Sequence, residues 1–419
     1  MQTQKTRWLH LTRPMAAALA AAASCGAWAA DDPNPYYIGA SQEFAHDSNV
    51  FRTPDPVPDY FSSTGLIGGF DQLISRQRLY ANANVHYNKY KNQTSLDNTS
   101  YGVNAGWDWA TIERLAGNFN VEANQALATF NGNSIQATAS RNLVKTDQFS
   151  TKVLWGGDGL INLTGAYSHS RVKYSAVEYL PSESSNDTSS LGVNYRLGED
   201  LRVGLAYRFS RTKSPFAIPL VPNPVGPDDY GPNTSNGRNV DLTLDWRFTP
   251  KTHLYARLSQ TRLTNSDANA LDFNGTTGAL IGSFAPTGKL SFNASVARDA
   301  GLNTTFFNAN AAGTAPGTPV TGLTQNTQTT DSYSLGAVYA ATAKISLTAN
   351  LLYRHSKVVT PTEEESDNGR ISSLGATYEV ARSWQLGCRL SHESRSLSGA
   401  GGFSYSANIV GCSAQLKLQ

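Results

Sequence analysis

Every second residue is apolar along the last stretch of this chain, and no other feature limits its fold more tightly. The apolar positions are Trp384, Leu386, Cys388, Leu390, then Val410, Cys412, Ala414, Leu416 and Leu418; between them stand Gln385, Arg389, Ser391, Ser413, Gln415 and Lys417. A period of two is that of a β-strand, whose side chains alternate between faces. A bend at Ser398–Gly402 sets Trp384 opposite Leu416, Leu386 opposite Ala414 and Cys388 opposite Cys412. Opposed residues of an antiparallel pair lie roughly 4.5–5.5 Å apart at Cα, within reach of a disulfide. The hairpin is therefore expected to carry a Cys388–Cys412 bridge, with two buried free thiols as the alternative. A strand that is apolar on one face, polar on the other and placed at the end of a chain suggests a membrane barrel.

The same alternation recurs from Tyr36 onward, as in Leu79, Ala81, Ala83, Val85, Tyr87 and in Leu201, Val203, Leu205, Tyr207, Phe209. Segments at 36–46, 60–72, 75–91, 98–110, 113–128, 144–156, 159–173, 187–198, 200–213, 236–249, 251–265, 270–284, 287–299, 329–341, 343–358, 368–381, 383–394 and 403–418 read as strands. Several reach the ~9–11 tilted residues that cross a bilayer. Short links such as Gly156-Gly157-Asp158 and Gly198-Glu199 alternate with long ones at 46–59, 129–143, 174–186, 214–235, 300–328 and 357–368. That rhythm belongs to short periplasmic turns and long extracellular loops. The prolines after residue 30 all fall between these segments, as a hydrogen-bonded ladder requires. Trp107, Trp109, Trp155, Trp246 and Trp384 each lie near a short link, which places them in one interface belt rather than in the core of a soluble sandwich. The expectation is an all-β protein: a transmembrane antiparallel up-and-down β-barrel of about 18 strands. Charged residues are only 16% of the chain, and nothing beyond the N-terminus approaches a membrane helix.

Residues 1–29 read as a secretory signal peptide and 30–419 as the barrel. Lys5, Arg7 and Arg13 precede an Ala/Leu-rich core, and Ala27-Trp28-Ala29 offers small residues for cleavage. Lipidation of Cys25 is the competing reading. After cleavage only Cys388 and Cys412 remain, an even count for an oxidising compartment. The destination this implies is the Gram-negative outer membrane.

With apolar residues facing lipid, the polar set must face a lumen, and 18 strands leave room for an aqueous one. The candidate pore-lining residues are Asn82, Asn84, Asp108, Glu122, Lys152, Arg196, Arg202, Arg208, Asp241, Asp245, Arg247, Arg257 and Arg354. Their arginines crowd between segments 187–198 and 251–265, making one wall locally cationic, with Asp241 and Asp245 close by. Such a wall suits clamping of acidic or hydroxyl-rich polymers, or simple pairing of charges across strands. The histidines are scattered and no catalytic, phosphate-binding or metal-ligand spacing occurs, so neither an enzyme nor a cofactor is expected. The net charge of +2 gives no reason to expect nucleic acid.

His46-Asp47-Ser48-Asn49-Val50-Phe51-Arg52, at the end of the first strand, resembles the Asp-x-Asn-Val-Phe-Arg start of EpsL-type, beta-barrel porin 2-like outer-membrane proteins found with exopolysaccharide biosynthesis. That resemblance implies an outer-membrane component of exopolysaccharide production, its exit pore. The expectation is a monomer in outer-membrane lipid that conducts polysaccharide, with a periplasmic export partner as an open possibility. The alternatives are a passive diffusion porin for small solutes and a plugged structural or adhesive barrel. Many such barrels end on an aromatic residue, whereas this chain ends Leu416-Lys417-Leu418-Gln419.

Overall fold

A computed structural model describes residues 34–418 apart from 129–140, 158, 221–225, 268–271, 302–327, 360–363 and 399–403. The signal segment and the bend of the last hairpin lie outside the described residues. The chain forms one 18-stranded antiparallel sheet that closes on itself. In order the strands are β1 (Tyr36–Asp47), β2 (Asp59–Ile74), β3 (Gln77–Tyr90), β4 (Asn98–Ala110), β5 (Leu115–Leu127), β6 (Leu143–Trp155), β7 (Ile161–Tyr174), β8 (Ser184–Arg196) and β9 (Leu201–Pro219). They continue as β10 (Tyr230–Thr249), β11 (Thr252–Asn265), β12 (Phe273–Phe284), β13 (Leu290–Ala300), β14 (Gln328–Ala340), β15 (Ile345–Val359), β16 (Glu364–Ala381), β17 (Trp384–Ser398) and β18 (Tyr405–Leu418). Each pairs with its chain neighbours, and β1 closes the ring on β18 with Ile38 opposite Leu418 and Asp47 opposite Ile409. This is the up-and-down transmembrane barrel that the alternation requires.

The short connections gather at the periplasmic end and the longer ones at the extracellular end. Tight turns there use backbone that side chains resist: Gly156, Gly157 and Gly198 have φ of 120°, 54° and 133°. Two of the long loops are shorter than their composition predicts. Strands β9 and β10 run to Pro219 and from Tyr230, and β15 and β16 leave only 360–363 between them. Prolines therefore do enter strands: Pro215 and Pro219 lie in β9 and Pro232 in β10. The β9–β10 register slips between Gly231 and Asn233, opposite Ile218 and Ser214. The irregularity brackets Pro215 and Pro232, the place where a ladder tolerates a missing N–H.

Packing is inside out. Lipid-facing side chains such as Leu191 (75% exposed) and Leu258 (57%) stand free of protein, each gaining about 1.5–3 kcal/mol once hydrocarbon covers it. The fully buried side chains are mostly polar, among them Asn49, Asp59, Ser63, Ser100, Asn162 and Ser259. Other buried polar side chains bond one another: Asn88 Nδ2 donates to Asn98 Oδ1 at 3.0 Å, and Thr261 Oγ1 to Asn239 Oδ1 at 2.7 Å. Trp107, Trp109, Trp155, Trp246 and Trp384 all occupy periplasmic strand ends on the outer face. Trp107 stacks on Phe119, and Trp246 meets Phe248 edge-on.

The last hairpin has the register that its alternation requires: Trp384 faces Leu416, Leu386 faces Ala414, and Cys388 faces Cys412. The two cysteines are bridged across 4.0 Å at Cα, on the lipid side and outside the lumen. Replacing both with alanine should lower the temperature at which the folded barrel loses its compact migration on a denaturing gel. The loss expected from a loop of 24 residues is about 3 kcal/mol. Unchanged heat resistance would mean that the ladder alone holds this seam.

Candidate functional site

Parity along the strands fixes which side chains enter the barrel. In β3 the outward Leu79, Val85 and Tyr87 alternate with Tyr80, Asn82, Asn84, His86 and Asn88. Pairing carries the same face around the ring: Asn82 opposes Asn104, Arg78 opposes Asp108, Asn118 opposes Lys152, and Asp245 opposes Arg202. By this rule all the candidate interior residues face inward. Arg247 stands beyond Trp246, where the β10–β11 register shifts at the periplasmic rim.

The interior charges form three groups at different heights. Near the periplasmic end, Arg78 engages Asp71 through Nε at 2.8 Å and through Nη2. It also lies 3.8 Å from Asp108, with its guanidinium 5.0 Å over the Tyr80 ring. At the same end of β10 and β11, His253 Nε2 is 2.9 Å from Asp245 Oδ1, and the charge of Asp245 also acts on Lys152 from β6 and feels Arg202 from β9. Asn82 accepts from the Tyr37 hydroxyl at 2.8 Å, and Glu122 accepts from Asn124 Nδ2 at 2.6 Å.

At mid-height the expected cationic wall is neutralised from within. Arg208 grips Asp241 with both Nε (2.8 Å) and Nη2 (3.2 Å). Arg257 lies 4.0 Å from the same carboxylate and 3.0 Å from Asp299 on β13, while its Nη1 donates to Ser259 Oγ at 3.0 Å. Arg196 is apart from this group, donating Nε to the Gly198 carbonyl at 2.8 Å beside its turn.

The third group lies at the extracellular end, along the wall formed by β16, β17, β18 and β1. The loop after β1 turns inward, and every residue of Asp47–Arg52 has work there. Asp47 accepts from the Asn49 amide at 2.8 Å and from Arg52 Nη1 at 2.8 Å. Ser48 and Asn408 of β18 exchange two bonds, at 2.9 and 2.8 Å. Asn49 Nδ2 reaches the carbonyls of Thr53 (2.7 Å) and Ser406 (3.1 Å). Val50 and Phe51 pack on Leu96 from the β3–β4 loop, joined by Val57, Tyr90 and Leu127. Arg52, in left-handed backbone with φ 53°, places Nε 3.1 Å from Glu393 of β17. Glu393 also receives the Tyr405 hydroxyl. Asp367, nearby on β16, is held by Arg395 (2.9 and 3.0 Å) and by Arg354 (3.1 Å). Burial works against the charge on Arg52, but Glu393 and Asp47 outweigh it and hold the guanidinium above its ordinary pKa.

Sequence reasoning placed Arg208, Asp241, Arg257 and Arg354 inside but missed their partners Asp299 and Asp367, and missed the Arg52–Glu393 contact altogether. Strand parity marks Glu393 and Arg395 as inward beside Arg389, so those two were within reach of the pattern. Arg52 lies in a loop, where no period applies.

No family model matches the chain, and neither does any curated protein. Solved structures similar to it include Pseudomonas aeruginosa OccK3 (OpdO), 12% identical over 92% of this chain and 96% of that one, with a TM-score of 0.46. The outer membrane protein OpdK of the same organism is 12% identical over 91% and 99%, also at 0.46. The siderophore receptor PirA of Acinetobacter baumannii is 6% identical over 91% and 80%, at 0.43.

Breaking the mouth fastening should expose its loop. In a variant carrying Asp47→Asn and Glu393→Gln, the unpaired buried guanidinium costs about 3–5 kcal/mol, enough to drive Arg52 into water. Trypsin should then cut after Arg52 in the folded barrel, a site silent in the wild type, as read by fragment mass. Continued protection would show that Val50, Phe51 and Asn49 hold the loop without the ion pairs.

Proposed function

We propose that the chain is an outer-membrane diffusion pore for small polar solutes. The observation that carries this reading is the combination of a closed, lipid-facing barrel with an interior whose mid-height arginines, Arg208 and Arg257, are paired with carboxylates of the same wall. Arg208 and Arg257, expected as clamps for a passing polymer, are already engaged by Asp241 and Asp299. A wall of paired charges offers polar contacts to ions and small polar molecules of either sign without binding any of them tightly. The Asp47–Arg52 motif, which brought exopolysaccharide export into view, acts in this fold as a fastening of the mouth.

Single-channel recording from the purified barrel in planar bilayers should give steps of conductance; a silent barrel would favour a plugged structural role. Asp241→Asn leaves Arg208 and Arg257 less compensated, so the reversal potential in a salt gradient should move toward anion selectivity. Arg208→Ser with Arg257→Ser should move it toward cations. Identical selectivity in all three proteins would place this cluster off the conduction path. Deleting the gene should leave cell-surface polysaccharide unchanged, and its loss would restore the export reading.

A further inference from the structure

The outer face of the barrel carries a second charged surface that the pore does not use. Arg211 of β9, Arg238 of β10 and Arg262 of β11 all point outward and are exposed. Arg238 and Arg262 are directly opposed across the β10–β11 ladder, and Arg211 faces Asn236, one diagonal step from Arg238, with Asp187 of β8 on its other side. Like charges set opposite each other destabilise a sheet unless something neutralises them. Among the described residues, neither Arg238 nor Arg262 makes an ion pair, whereas Arg298 elsewhere on the outer face is paired with Asp331 and Arg370 rests on Tyr353.

Height along the strand identifies what could neutralise them. Arg211 and Arg262 each lie about ten residues from the periplasmic end of their strand, the length that crosses a bilayer core. Below them the same faces carry lipid-exposed Leu205, Tyr207, Val240, Leu242 and Leu258. The cluster therefore sits at the extracellular headgroup level, where a bulky anion anchored in the membrane meets it edge-on. Arginine forks match phosphate oxygens in bidentate geometry.

We propose that Arg211, Arg238 and Arg262 form a docking site for the phosphate of a phosphorylated glycolipid in the outer leaflet. The site rests on the outer-membrane reading but not on conduction, so it stands or falls separately from the pore. The test uses the full-length barrel in neutral detergent with diphosphoryl lipid A as the probe, bound lipid being counted by native mass spectrometry. Wild type should retain the lipid through washing. Arg211→Ser, Arg238→Ser, Arg262→Ser together should weaken retention about tenfold or more, and the single Arg238→Ser partly. Phosphate-free lipid A should be lost from wild type. A control pair away from the cluster, Lys89→Ser with Arg370→Ser, should bind as wild type does. Compact migration on a gel confirms that each variant is folded. Equal retention by the triple variant, equal retention of the phosphate-free lipid, or equal loss from the control pair would each overturn the site.

Discussion

Hydrocarbon offers no hydrogen bonds, so each backbone N–H and C=O that crosses a membrane must be satisfied within the protein. In a sheet that condition is met only when the first strand finds the last. The pairing of β1 with β18, from Ile38 opposite Leu418 to Asp47 opposite Ile409, is thus the contact on which the rest of the barrel depends. It joins the ends of the described chain, and it is formed by residues that no local preference brings together. The features gathered around it make sense as reinforcement. The disulfide ties β18 to β17 just above the middle of the seam, while Ser48, Asn49 and Arg52 stitch the extracellular end to β17 and β18.

Once the ring is closed, solvent and core exchange places. Apolar side chains face outward without protein contact, and polar ones fill the inside, where the barrel excludes lipid and the side chains must satisfy one another. Ion pairs here organise the wall more than they stabilise it, since removing two charges from water offsets much of their attraction. They also hold arginine side chains against the wall. The three groups, at the periplasmic end, at mid-height and at the mouth, set both signs of charge beside each other at each height.

Much of this is legible in one dimension. The period of two marks all 18 strands and their faces, turn chemistry separates short connections from long ones, and the spacing about the Gly-rich bend places Cys388 opposite Cys412. Two loops prove shorter than the composition suggests, because β10 and β16 begin in polar sequence, Tyr230–Asn236 and Glu364–Asn368, that has no apolar face to reveal a strand. The prolines of β9 and β10 misled for a related reason. A ladder beyond the membrane can admit a bulge, since water satisfies what the bulge leaves open.

By itself, then, the sequence determined that this chain is a membrane barrel, which residues look inward and how its last hairpin is registered, because each of these follows from a local period and a fixed turn. Which charges meet was left to the tertiary structure. Arg52 finds Glu393 at a separation of 341 residues and Arg257 finds Asp299 at 42, both through the order and stagger of strands around a closed ring. The pairing of Arg238 with Arg262 on the lipid face arises in the same way. A period assigns a side chain to a face, but only closure of the sheet decides what stands beside it.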